Sequence, residues 1–115
     1  MASGYHLSDM ALEDIAAIHD YSVTHWGEHK ADQYVAAIYH AINRLAISPD
    51  RNISRNARSS PFRMIAVEQH FIIYDLTENG TVILTLMHQA QDVEKRVAKL
   101  TPTFRQLVAG FSRYS

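Results

Sequence analysis

A chain of 115 residues, 47% hydrophobic and 20% charged, has the length of one domain and can bury roughly two thirds of its unfolded surface without covalent staples. It contains no cysteine, which excludes disulfides and thiolate metal sites and fits a reducing cytoplasm. Its net charge of −1 disfavours generic electrostatic binding of nucleic acid while leaving a local basic patch open; no apolar run approaches the roughly 20 residues that span a bilayer, and the N-terminal residues lack the basic and apolar regions of a signal peptide.

Tyr5-His6-Leu7 is a short predicted strand. Ser8 is placed to N-cap a helix, and Asp9 puts a negative charge in its first turn. Ala11, Leu12, Ile15, Ile18 and Ser22 then recur at three- and four-residue spacing, with Glu13, Asp14, His19 and Asp20 off the stripe. This predicts an amphipathic helix over about 9–24. Trp26-Gly27 interrupts it: Gly27 suits the positive φ that ends a helix, and Trp26 is expected to plug the end of the helical pair, the alternative being an exposed anchor for a partner. The second helix starts near Glu28 and carries the stripe Ala31, Tyr34, Val35, Ile38, Ala41, Ile42 and Leu45. Pro49 ends it, because the residue before a proline is pushed out of the α region. The short connection predicts an antiparallel helical hairpin. His25 and His29 have the spacing of two metal ligands on a helix, but Gly27 between them breaks that geometry and no third ligand is evident. No metal or other cofactor is expected.

Residues 49–61 read as a long, locally positive loop with Arg51, Arg55 and Arg58. A strand follows at about Arg63–Val67. The unbroken apolar run Phe71-Ile72-Ile73-Tyr74 predicts a central strand covered on both faces. Asn79-Gly80 predicts a type I′ turn, with positive φ at both residues, into the last strand. That strand ends in the polar stretch His88-Gln89-Ala90-Gln91-Asp92. Residues 93–100 can form a short helix, and Thr101-Pro102 predicts a fresh helix start. Phe104, Leu107, Val108 and Phe111 give the resulting tail an apolar face. A helix of about ten residues is marginal alone, so the tail must dock on its own core, a second copy or another protein. The order predicts an α+β fold: a strand, an antiparallel helical hairpin, and a three-stranded antiparallel meander with the helices on one face. Residues 1–100 form the domain and 101–115 a C-terminal helical tail.

This ordered set of residues resembles a known family. Tyr5-x-Leu7-Ser8 leads into an acidic helix, Trp26-Gly27 sits between the helices, and Leu45-Ala46-x-x-Pro49 closes the second. A basic loop leads to Phe62-Arg63, followed by His70-Phe-Ile-Ile-Tyr74 and Leu86-Met87-His88-Gln89-x-x-Asp92. Over about residues 5–97 the chain resembles the ParE branch of the RelE/ParE toxins of bacterial toxin–antitoxin pairs. The resemblance implies a cytoplasmic toxin that inhibits DNA gyrase by protein–protein binding. It also implies neutralisation by a cognate ParD-like antitoxin of the ribbon-helix-helix type. No direct nucleic-acid or membrane partner is expected. The alternatives are the messenger-RNA endonuclease of the RelE branch and a protein of this fold without toxicity.

Arg58 and Arg63 match the arginines that precede the central strand in the family. They read as contacts to target or antitoxin, or as solvated, with Arg63 alternatively paired to a carboxylate such as Asp92 or Glu68. His88 and Asp92 match the strand-end motif, as contact residues or as a backbone-bonded histidine and a helix cap. A nuclease needs a base for the ribose hydroxyl, cations for the phosphate and an acid for the leaving oxygen. Arg63, Glu68 and His88 are the minimal set available here, and lysine is absent between Lys30 and Lys95. The expectation is therefore a non-catalytic inhibitor. The tail face Phe104, Leu107, Val108 and Phe111 is a candidate interface as well as candidate core.

Overall fold

A computed structural model describes residues 4–47 and 62–113. Its elements are β1 (Tyr5–Leu7), α1 (Asp9–Trp26), α2 (Glu28–Ile47), β2 (Arg63–Val67), β3 (His70–Thr77), β4 (Gly80–His88) and α3 (Val93–Arg113). The four strands form one sheet in the order β1-β4-β3-β2. β1 runs parallel to β4, and the other pairs are antiparallel. The expected α+β architecture is present.

The helical hairpin follows from its sequence. Ser8 caps α1, its Oγ accepting from the Ala11 amide at 3.0 Å. Gly27 alone joins the helices at φ +89°, its N–H donating to the Val23 carbonyl at 2.9 Å. α1 thus runs to Trp26, slightly beyond the predicted end. A link this tight already closes the hairpin and leaves no opening to plug. Trp26 is accordingly 47% exposed, against the expectation that it would fill the hairpin end. His19 and Asp32 bridge the two helices at 2.9 Å.

β1 pairs with β4 over only three residues, and α1 takes over the β4 edge beyond it. The register matches Tyr74 to Ile83 and Ile73 to Thr85, leaving Leu84 as a bulge. The Ser8 hydroxyl donates to the Leu84 carbonyl at 2.6 Å. The Asp14 carboxylate accepts from the Leu86 amide at 3.0 Å and from the Thr85 hydroxyl. The Ser8 cap and Asp14 of α1 therefore satisfy backbone groups that a longer strand would otherwise pair. The bulge also shifts the alternation, so that Ile83 and Leu86 both join the core against the hairpin.

The sheet is covered twice. Ala11, Ile15, Ile38, Ala41, Ile42 and Leu45 of the hairpin pack with Ile72, Tyr74, Ile83 and Leu86. On the other face, Val93, Val97 and Phe104 of α3 pack with Phe62, Met64, Ile73, Val82, Leu84 and Met87. Alternation along β3 sends Ile72 and Tyr74 to one core and Ile73 to the other, as a central strand requires.

Two local expectations are corrected. Thr77 pairs with Gly80, so the β3–β4 loop is Glu78-Asn79, and Asn79 does not take the positive φ of a type I′ turn. The Thr77 hydroxyl accepts from the Asn79 amide at 3.1 Å and donates to the Gly80 carbonyl at 2.9 Å, which fixes the turn locally. Gly80 keeps a positive φ of 126°, and a Cβ there would lie 2.7 Å from the Gly4 carbonyl oxygen. The second correction is α3, which runs unbroken through Pro102 instead of restarting at Thr101. An interior proline costs about 3 kcal/mol. Buried Val97 and Phe104 anchor the helix on either side of it, each contributing roughly 1.5–3 kcal/mol. The Thr101 hydroxyl donates to the Val97 carbonyl at 2.8 Å within the same turn.

Among the described residues, no helix is long and apolar enough to cross a membrane.

Candidate functional site

One end of the sheet gathers the chain's unusual side chains. There the C-terminal turns of α1 and the start of α2 meet the β2–β3 turn and the end of β4. They surround a cleft of about 290 Å³ lined by residues including Ile18, Tyr21, Trp26, Tyr34, His70 and His88. The β2–β3 loop is Glu68-Gln69, with Glu68 in the left-handed region at φ +51°. The turn holds this shape because Tyr34 of α2 reaches it: the Gln69 amide donates to the Tyr34 oxygen at 3.0 Å.

Tyr34 also lies 2.6 Å from His70 Nδ1. Its oxygen accepts from Gln69, so its own proton is free to donate to His70. Burial, reinforced by neighbouring His88, lowers the His70 pKa to about 4. His70 is therefore neutral at pH 7, accepting at Nδ1 and carrying its proton on Nε2. Burial likewise raises the Tyr34 pKa, against the Gln69 hydrogen bond and with a smaller push from Glu68. Both groups are held uncharged near neutrality. His88 packs edge-on to His70 at 5.1 Å, and its Nδ1 accepts from the Ala90 amide at 3.0 Å.

Beside the cleft stands an exposed aromatic group. Tyr21 is 58% exposed, stacks on His25 at 3.9 Å and meets Trp26 edge-on at 6.0 Å. This end thus combines neutral hydrogen-bonding groups with accessible aromatic surface, which suits binding more than proton transfer.

The other candidates are dispersed. Arg58 lies outside the described residues. Arg63 sits opposite Tyr74 at one end of β2, while Val67 at the other end pairs with His70. Four residues of strand, about 13 Å, separate the two ends. The charge of Arg63 acts on Asp75, which neighbours its strand partner Tyr74. Burial raises the Asp75 pKa; the Leu76 amide and then Arg63 oppose the rise. Glu68 and His88 share the cleft end, joined through Gln89, whose amide donates to the carbonyls of Glu68 and His70 at 3.1 and 3.2 Å. Arg63, Glu68 and His88 are therefore not brought together. Asp92 caps α3, accepting from the Lys95 amide at 3.2 Å, and the His88 amide donates to Gln91 at 3.0 Å. In the tail, Phe104 is fully buried and edge-on to Phe62 at 5.2 Å; Leu107, Val108 and Phe111 are partly buried on the same cluster.

Sequence reasoning missed Tyr21 and Tyr34. Tyr34 lies on the apolar stripe of α2 and reads as core, and Tyr21 sits beside Asp20 off the stripe of α1. Among the described residues, no three His, Cys, Asp or Glu side chains converge as metal ligands. His25 Nδ1 instead donates to the Tyr21 carbonyl at 2.8 Å.

Comparison with known proteins agrees with this architecture. Residues 5–93 match the family described as the ParE toxin of the type II toxin–antitoxin system, parDE. Toxin ParE1 of Mycobacterium tuberculosis, in strains CDC 1551 / Oshkosh and ATCC 25618 / H37Rv, is 30% identical over 98 residues. The match covers 84% of this chain and 100% of that protein. A solved structure titled as the chromosomal ParDE TA system from P. aeruginosa shares the fold. It has a TM-score of 0.66 at 20% identity and covers 74% of this chain and 94% of that one.

Proposed function

The chain belongs to the ParE toxin family of type II toxin–antitoxin systems, and from that premise we propose that it arrests growth by binding DNA gyrase, without chemistry of its own. One observation carries the reading: both faces of the sheet are covered, by the hairpin and by α3. The RelE-type nuclease alternative uses basic and acid–base side chains lying across that sheet. In this chain Arg63 stands at the opposite end from Glu68 and His88, and His70 is held neutral. The accessible surface at the cleft is aromatic, with Trp26 and Tyr21 as the anchors that a protein partner would engage.

The same reading places the protein in the bacterial cytoplasm, held inactive by a ParD-like ribbon-helix-helix antitoxin. Induction of the chain without its antitoxin tests it. The expected result is a fall in plasmid supercoiling and accumulation of cleaved DNA before translation stops, with Trp26→Ala weakened in both. Untouched gyrase accompanied by messenger-RNA fragments would replace it with the nuclease alternative, and absence of growth arrest would make the chain a non-toxic relative.

A further inference from the structure

Among the described residues, α1 and α3 carry opposite charge on opposite faces of the sheet. α1, on one face, carries Asp9, Glu13, Asp14 and Asp20 and no lysine or arginine. α3, on the other, carries Lys95, Arg96, Lys99 and Arg105 within eleven residues of sequence, and Glu94 is the one acid in the helix. All four cations are exposed, and among the described residues none of them forms an ion pair. At helical spacing Lys95 and Lys99 lie one above the other on the outward crest, with Arg96 and Arg105 on its two flanks. Charges further apart than about 8 Å are largely screened at physiological salt, so the acids of α1 behind the sheet do not cancel this ridge.

We propose that the outward face of α3 is a docking surface for the phosphate backbone of duplex DNA. A polyanion is indicated by the charge, and DNA over an acidic protein by what the ridge lacks. Protein interfaces centre on aromatic or aliphatic anchors. The exposed residues between the cations of α3 are Ala98, Pro102 and Thr103, with Gln106 just beyond Arg105, and every large exposed hydrophobic side chain of the described residues lies elsewhere. The size also fits. From Lys95 to Arg105 the helix advances about 15 Å, along which a duplex offers roughly nine phosphate charges. A helix about 10–12 Å across matches a major groove about 12 Å wide. The surface is distinct from the aromatic cleft, so a protein target and DNA can be held at once. It departs from the expectation of no direct nucleic-acid contact, which weighs the net charge of the whole chain.

The test uses the full chain, a short fluorescent duplex of arbitrary sequence and no gyrase, so its outcome is independent of the gyrase reading. Anisotropy titrations across a salt series should give a log–log slope near −3.6, about 0.9 for each of four phosphate contacts. The double variant Lys95→Gln/Lys99→Gln should bind roughly tenfold or more weakly at about 0.1 M salt, with the slope reduced by about 1.8. Its thermal melt should be unchanged, because both side chains are exposed, and Lys30→Gln on α2 should bind as the parent does. Binding that is absent at low salt, a slope unaltered in the double variant, or tighter binding of polyglutamate than of the duplex would overturn the proposal.

Discussion

Tyr34 and His70 show how single residues in this chain combine jobs. Tyr34 contributes apolar surface to the hairpin core, holds the Gln69 amide and donates to His70. The depressed pKa of His70 makes a pH prediction. The unfolded chain takes up the proton near pH 6.5, whereas the folded chain does so only near pH 4. The neutral form is favoured by folding, so this contribution to stability is present above pH 6.5 and is lost as the pH falls toward 4. In urea unfolding, the loss of stability between those pH values should be smaller in His70→Asn than in the parent. Gly80 gives a second prediction. With φ at +126° and the Gly4 carbonyl 2.7 Å from a built Cβ, Gly80→Ala should destabilise by more than about 1 kcal/mol, read as a lower denaturation midpoint. At this scale Gly27 is legible in advance because only backbone φ is at stake. Trp26 is not, because whether it plugs or protrudes depends on the linker length, which the helix period does not reveal. Glu68 at positive φ carries no local signal either; a contact from Tyr34, distant in sequence, holds its turn.

Elements are set by periodicity, and they misread where tertiary packing overrides a local rule. The stripes of α1 and α2 and the run of β3 predict those elements closely. At Pro102, propensity predicts a restart, and packing of Val97 and Phe104 on the sheet keeps α3 whole. Phe104 is thus the anchor of the second layer. Phe104→Ala should cost about 3–5 kcal/mol in chemical denaturation, whereas Thr103→Ala beside it, exposed, should stay within about 0.5 kcal/mol. Equal effects would mean that the tail is not docked on its own core. The Asn79-Gly80 pair misleads for a related reason: Thr77 closes the turn one residue earlier, and Gly80 is required by the approach of Gly4.

For the whole molecule, the α+β class and the ordered residue set were both readable in the chain, since they depend on pattern. The covering of the second sheet face was not, because an amphipathic tail announces an apolar face without saying what it meets. That covering bears on the proposed function: α3 occupies the sheet face opposite the hairpin, while the aromatic cleft and the basic ridge stay accessible. The central claim is inhibition of gyrase by binding. It is tested most directly by adding the purified chain to gyrase and relaxed plasmid, and in parallel to translating ribosomes. The account predicts lost supercoiling with accumulated cleaved plasmid, and intact messenger RNA. Undiminished supercoiling together with cut messenger would contradict it.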